Sequence, residues 1–119
     1  MNRKLLSLLM AAMTLPAAAA QYVKPGAVLT LHPGQNNAEF NINASTGDGS
    51  GVCNMEGTAQ QITVGESQKR RWAWNDNTSQ CVAVISELKN GKASFMTRGC
   101  EGYCGPSAAG AMDGLFNKK

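Results

Sequence analysis

The feature that most constrains the fold of this chain is a set of four cysteines, Cys53, Cys81, Cys100 and Cys104. All four follow an N-terminus with the layout of a secretion signal. An even number of cysteines in an exported chain of this size predicts two disulfides, and four cysteines allow three pairings. We favour Cys53–Cys81, which closes a long loop between two predicted strands, with Cys100–Cys104 as a local staple. Zinc is the competing use. Only His32 could add an imidazole and exported thiols oxidise, so we expect no metal.

The first twenty residues have the layout of a secretory signal peptide: Arg3 and Lys4, a nearly uninterrupted apolar run over residues 5–15, Pro16, and three alanines at 18–20. We therefore expect cleavage before Gln21. The apolar run is too short to span a bilayer, and no second long run follows, so no transmembrane segment is expected. No cysteine that could carry a lipid lies near the cleavage site. The predicted location is periplasmic, secreted or surface-associated.

Residues 21–119 are long enough for one β domain with a modest core, but not for two domains. Cleavage removes Arg3 and Lys4, which leaves nine basic residues against eight acidic ones and a net charge of +1. Nucleic-acid binding needs a broad basic surface. A nucleic-acid partner is therefore not expected.

Glycines and Asn, Asp, Ser and Thr clusters interrupt every helical apolar pattern after residue 20, whereas strand patterns are frequent. The predicted strands are 27–32, 39–44, 52–58, 69–74, 81–88, 93–98 and a closing strand within 108–116, with 60–64 extending or following the third. Gly57 is expected at a bulge or a close approach. Asn90-Gly91 between two apolar runs predicts a hairpin with a type I′ turn.

Seven or eight short strands separated by turns predict an all-β fold, a small antiparallel β-barrel or sandwich with two disulfides. One set of alternating side chains would then form a single core. The expected core residues are Phe40, Ile42, Trp72, Trp74, Ile85, Phe95 and Phe116.

Catalytic groups do not converge in the sequence, because His32 is the only histidine and the carboxylates are scattered among turns. A glycosidase pair such as Glu56 with Glu66 or Asp76 has no supporting spacing. His32 precedes Pro33 at a strand end and is expected to face solvent. We predict a binding protein and not an enzyme, with no cofactor.

The sequence Lys69-Arg70-Arg71 beside Trp72 and Trp74 combines cations and indoles, which together bind sugars. In a strand, however, inward-facing tryptophans place Lys69 and Arg71 on the opposite face. Core tryptophans beside a solvated basic rim are the simpler interpretation.

Three segments resemble small exported bacterial domains associated with lysozyme-inhibitor proteins. They are Cys-x-x-x-Gly-x-Ala from Cys53, a central cysteine on the apolar strand at Cys81, and Cys-Glu-Gly-Tyr-Cys-Gly from Cys100. The resemblance covers residues 37–116. It implies a small antiparallel barrel that inserts a serine-bearing loop and a basic side chain into the cleft of c-type lysozyme.

By that resemblance Ser50 and Gly51 would form the serine-bearing loop, although Val52 stands where those inhibitors have a tyrosine. No lysine matches by motif, so Lys69, Arg70 and Arg71 are candidates by charge alone. The resulting expectation is an envelope protein that inhibits c-type lysozyme. The alternative is a module that binds peptidoglycan or another glycan without inhibition. Outward-facing tryptophans would favour the glycan, whereas buried tryptophans and a protruding loop would favour inhibition.

Overall fold

The computed structural model describes residues 19–46, 49–105, 108 and 110–119. Eight antiparallel strands follow one another around a closed barrel, so every strand pairs with its neighbours in sequence and β1 pairs with β8. The strands are β1 (Ala20–Lys24), β2 (Ala27–Pro33), β3 (Asn37–Ser45), β4 (Val52–Ile62), β5 (Gln68–Asn75), β6 (Val82–Leu88), β7 (Ala93–Arg98) and β8 (Gly114–Lys118). A short 3-10 helix, Glu101–Tyr103, follows β7.

The predicted all-β barrel with two disulfides is confirmed, with two differences at its strands. β1 was not predicted, because its five residues carry only one fully buried side chain, Tyr22. Of the two alternatives for residues 60–64, the structure has the extension, since β4 continues as far as Ile62. The closing strand is Gly114–Lys118, later than the predicted 108–116 region, because a turn containing Gly110 at φ 83° occupies most of that region.

The barrel interior follows the alternation expected of a closed sheet. In β3 every second residue from Ala38 to Ala44 is buried, and the residues between them are exposed. Six of the seven predicted core residues are buried, namely Phe40, Ile42, Trp72, Ile85, Phe95 and Phe116, while Trp74 is half-buried against them. Full burial of one large apolar side chain stabilises the fold by about 1.5–3 kcal/mol. These residues therefore supply much of the driving force for closure.

The β6–β7 hairpin is confirmed, but its turn is not type I′. Type I′ needs positive φ at two residues, and among the described residues only glycines have positive φ, including Gly91 at 91°. The Gly91 amide donates to the Leu88 carbonyl at 3.0 Å, and the Leu88 amide donates to the Lys92 carbonyl at 2.9 Å. This pattern is a type I turn followed by a left-handed glycine in a bulge.

The favoured disulfide pairing was wrong, since the structure joins Cys81 to Cys100 and Cys53 to Cys104. The β6–β7 register pairs Val82 with Arg98, which brings Cys81 and Cys100, just beyond this pair, to a Cα–Cα distance of 4.4 Å. The 3-10 helix then carries the chain away from Cys100 towards the start of β4. Cys104 therefore meets Cys53, at a Cα–Cα distance of 4.3 Å.

The eight strands define two ends of the barrel. The first end carries the β1–β2 turn, the β3–β4 turn, the β5–β6 turn and the long segment between β7 and β8. The second end carries the β2–β3, β4–β5 and β6–β7 turns, together with the start of β1 and the end of β8. Both disulfides lie at the first end, where they join the long segment to β4 and to the start of β6.

Candidate binding surfaces

The β3–β4 turn at the first end presents Ser50, the serine predicted to bind a partner. Ser50 is exposed and Gly51 is buried. Thr46 closes the base of the turn, because its amide donates to the Gly51 carbonyl at 3.0 Å and its hydroxyl accepts from the Gly51 amide at 3.1 Å. The Thr46 and Ser50 hydroxyl oxygens are 3.4 Å apart. A Cβ added at Gly49 would meet nothing within 4 Å, so the space around Gly49 is open.

The basic residues predicted to share that site lie near the second end, at the start of β5. Lys69 is exposed. Arg70 is partly covered: its Nε lies 3.6 Å from Glu87 Oε1, and its guanidinium lies 5.1 Å from the centre of the Trp72 ring. Arg71 is half-buried, and its Nε has no hydrogen-bond partner among the described residues. Only Lys69 is fully presented to solvent.

The structure therefore does not bring the predicted serine and the predicted basic residues together. The turn with Ser50 precedes β4, and Arg71 pairs with Ile62 at the far end of the same eleven-residue strand. At about 3.3 Å per residue, this separation is on the order of 35 Å. A single lysozyme cleft could not receive both groups from this barrel.

The tryptophans are turned towards the interior to different depths. Trp72 is fully buried, and its indole nitrogen has no partner in the described part of the chain. Trp74 is half-buried, with its ring edge-on to Phe40 at 5.7 Å and to Tyr103 at 6.0 Å between centroids. The predicted close approach at Gly57 is confirmed, because a Cβ there would overlap the indole nitrogen of Trp74.

A small polar cluster lies inside the second end of the barrel. The Tyr22 hydroxyl donates to Glu87 at 3.3 Å, and Glu87 also faces Arg70. Burial and the neighbouring Glu87 carboxylate raise the pKa of Tyr22. The cluster satisfies polar groups at the edge of the core, which is a structural role.

At the first end, Asp76 connects the β5–β6 turn to the 3-10 helix. Its carboxylate accepts from the Tyr103 hydroxyl at 2.6 Å, from the Thr78 amide at 2.9 Å and hydroxyl at 2.8 Å, and from the Ser79 hydroxyl at 3.0 Å. These donors, Tyr103 first among them, hold the pKa of Asp76 well below its ordinary range. The same bond raises the pKa of Tyr103. Tyr103 is thereby fixed beside Trp74.

Tyr103 forms one wall of a groove that the sequence analysis missed. The groove has a volume of about 370 Å³ and is lined by Asn41, Asn54, Met55, Glu56 and Tyr103. Glu56 is exposed, and its carboxylate accepts a hydrogen bond from the side-chain amide of Asn41 at 3.0 Å. Alternation along β3 and β4 puts Asn41 and Glu56 on the outward face. The contribution of Tyr103 depends on the path of the segment after β7, which no periodicity encodes.

Other predicted groups have simpler surroundings. His32 is exposed, as expected. Among the described residues, no group of three or more His, Cys, Asp or Glu is placed to hold a metal ion. Within the same residues, no helix is long and apolar enough to cross a membrane. Gly47 and Asp48, which belong to the predicted loop, lie outside the described residues.

Comparisons with known protein families, with curated proteins and with solved structures found no match for this chain. The assignment of a function therefore depends on the chemistry of the surfaces described above.

Proposed function

We propose that this chain is exported to the cell envelope, where it binds a protein partner, and that it inhibits c-type lysozyme by inserting the β3–β4 turn into the active-site cleft. The observation that carries the proposal is the exposed Ser50, next to the open position of Gly49, on a turn whose base is closed by hydrogen bonds between Thr46 and Gly51. Cys53, in the strand that follows, is held by a disulfide. A preformed turn loses little conformational entropy on binding.

Local acidic groups near the same end support a basic partner, although Arg98 is also exposed there. Glu56 lines the groove beside β4, and Glu101 is exposed on the 3-10 helix. Lysozyme is strongly basic, so local acidic groups would favour its approach even though the net charge after cleavage is only +1. The inserted group is Ser50 itself. The predicted basic residues are too distant to enter the same cleft. Partner contact through Lys69, Arg70 and Arg71 therefore stays a separate prediction.

The glycan-binding alternative has weaker support. Trp72 is inside the barrel, and Trp74 is half-covered by Phe40 and Tyr103, so the two indoles do not form an exposed platform for a sugar. A glycan would have to use the groove beside Tyr103, whose amide, carboxylate and phenol groups suit a polyol. A pull-down with peptidoglycan tests this alternative directly.

The first test is a titration of residues 21–119 against the lytic activity of c-type lysozyme. We expect inhibition at a molar excess, and we expect Ser50→Ala to weaken it by about tenfold or more if the serine is a central contact. Ser67→Ala is the matched control, because Ser67 is exposed in the β4–β5 turn at the opposite end. Undiminished lysis at a large excess of the unmodified protein would remove the inhibitor proposal.

A further inference from the structure

The barrel is closed, but β4 and β5 pair over only three residues of each strand. The β3–β4 ladder runs from Asn37↔Gln60 to Ser45↔Val52, whereas the β4–β5 ladder joins only Gln60–Ile62 with Arg71–Ala73. The earlier residues of β4 thus have no ladder partner on the β5 side in the described part of the chain. We call the gap beside residues 54–58 the seam.

The backbone polar groups at the seam can be assigned from the register. The Gln61 amide donates to the Asn36 carbonyl at 2.9 Å, so the backbone groups of Gln61 face β3. Successive residues of a strand direct their N–H and C=O groups to opposite sides. The N–H and C=O groups of Asn54, Glu56 and Thr58 therefore face the seam. None of these three residues is paired in the β4–β5 ladder, which begins at Gln60, so their backbone groups form the edge that an added strand would bond.

The seam is rigid at both of its ends. The Cys53–Cys104 disulfide fixes the end nearest the β3–β4 turn, and the Gln60↔Ala73 pair fixes the other. Tyr103 forms the far wall, and the groove of about 370 Å³ opens along it. A second groove of about 400 Å³ shares Glu56 with the first and lies over the β3–β4 pair, where it is lined by Glu39, Phe40, Glu56, Gly57 and Thr58. An edge held in this way needs little ordering before another strand pairs with it.

The charges around the seam are of one sign. Glu56 lines both grooves, Glu39 lines the second, and Asp76 is bonded to Tyr103 in the wall. No lysine or arginine is among the described residues that line either groove. Local acidity on a domain of nearly neutral net charge favours a basic ligand.

We propose that the seam binds an extended, basic segment of another protein as an added strand antiparallel to β4. Its main chain would bond to the free N–H and C=O groups of Asn54, Glu56 and Thr58, and its outward side chains would lie beside Glu56. Its inward side chains would be apolar and contact Met55 and Tyr103. The seam does not include Ser50, so this inference goes beyond the proposed function and stands without it.

A second copy of this chain suits the seam poorly. Two β4 edges pairing antiparallel about Glu56 would place this carboxylate opposite its own copy, and like charges directly opposite each other destabilise a strand pair. The free edge thus discourages self-association while it accepts a strand of opposite charge.

The test uses a fluorescein-labelled seven-residue peptide of alternating lysine and valine, added to residues 21–119. We expect a rise in fluorescence anisotropy, and slower hydrogen exchange at the amides of Asn54, Glu56 and Thr58, by about tenfold or more at saturation. In an antiparallel pair the lysines lie opposite the outward residues of β4, so their amides make the bonds. N-methylation of the lysine amides should abolish binding, whereas N-methylation of the valine amides should not.

Two variants test the edge from the side of the protein. Thr58→Pro removes the amide hydrogen of residue 58, which faces the seam, so no ladder bond to β3 is lost. Proline is tolerated at such an edge, and the preceding residue is a glycine. We expect it to weaken peptide binding by about tenfold or more. Glu56→Gln should weaken it about two- to fivefold, whereas Glu66→Gln, in the β4–β5 turn, should not change it.

Several results would overturn the proposal. The first is that the alternating peptide does not bind, and the second is that it binds equally well after methylation of its lysine amides. The third is that peptidoglycan fragments, but not the peptide, protect the three amides from exchange. If Thr58→Pro loses its far-UV circular dichroism, the methylated peptides and Glu56→Gln decide the matter alone. Failure of the lysozyme titration would leave these measurements unaffected, so the two proposals can be separated.

Discussion

At the scale of single residues, Gly57 and Trp74 show why alternation alone did not predict the different depths of the two tryptophans. Alternation put Trp72 and Trp74 on one face, and both do face inward. Trp74 lies where β5 turns away from β4, so its indole covers the backbone of Gly57 and contacts Tyr103 instead of reaching the centre of the core. A glycine at this position is required because any side chain would occupy the place of the indole.

Substitution of Gly57 tests this contact. Gly57→Ala adds a Cβ that overlaps the Trp74 ring, so the ring must move, and we expect a loss of about 1–3 kcal/mol in the free energy of unfolding. Denaturant unfolding followed by tryptophan fluorescence measures the loss. Gly102→Ala is the control, because a Cβ at Gly102 meets nothing within 4 Å. Equal stability of the two variants would contradict the contact.

Asp76 provides a prediction about pH. Its pKa is lowered from the ordinary value of 3.8, chiefly by the Tyr103 hydroxyl, so its carboxylate stabilises the fold above pH 4 and loses this effect as the pH falls through its folded pKa. We expect Asp76→Asn to lower the melting temperature at pH 7. The difference from the unmodified protein should shrink between pH 4 and pH 2.

The melting curves are measured by circular dichroism at four pH values from 7 to 2. Tyr103→Phe removes the strongest donor to Asp76, and its difference from the unmodified protein should shrink over the same range. A difference for Asp76→Asn that stays constant with pH would show that the carboxylate charge does not contribute.

At the scale of elements, the hairpins were predictable and the cross-links were not. The Asn90-Gly91 signal placed β6 and β7 correctly, although the turn uses one left-handed residue and not two. The register of that hairpin already carried the information that Cys81 lies beside Cys100, since Val82 pairs with Arg98. Loop length alone favoured the other pairing. The join from Cys104 to β4 depends on the 3-10 helix, for which the sequence has no periodic signal.

The disulfides differ in their expected effects on stability. Cys53–Cys104 spans 51 residues and Cys81–Cys100 spans 19, so the chain-entropy account gives about 4 and about 3 kcal/mol respectively. We expect the double variant Cys53→Ser/Cys104→Ser to lose more stability than Cys81→Ser/Cys100→Ser. Denaturant unfolding of the two variants provides the comparison.

Mass mapping of the unreduced protein after proteolysis checks the pairing itself. Peptides joined through Cys53 and Cys104 are expected, and peptides joined through Cys53 and Cys81 would show that the pairing is wrong. Free thiols in the native protein would contradict both bridges.

At the scale of the whole molecule, the barrel was predictable because its causes are local. Alternation, turn residues and an even number of cysteines each act over a few positions, and together they specify a closed antiparallel sheet. The surfaces were not predictable, because they depend on which end of the barrel each residue reaches. Ser50 and Lys69 are close to opposite ends of β4, and Tyr103 lies beside Glu56 through the Cys53–Cys104 disulfide and the hydrogen bond to Asp76.

The start of β1 and the end of β8 both lie at the second end of the barrel, where the Lys119 amide donates to the Gln21 carbonyl at 2.8 Å. The turn with Ser50 and the Cys53 end of the seam lie at the opposite end of the barrel. If the protein were attached to a surface through a linker after Lys119, the candidate binding surfaces at the first end would therefore face away from that surface. The same geometry recommends immobilisation through the C-terminus for any sensor chip or bead on which partners are sought.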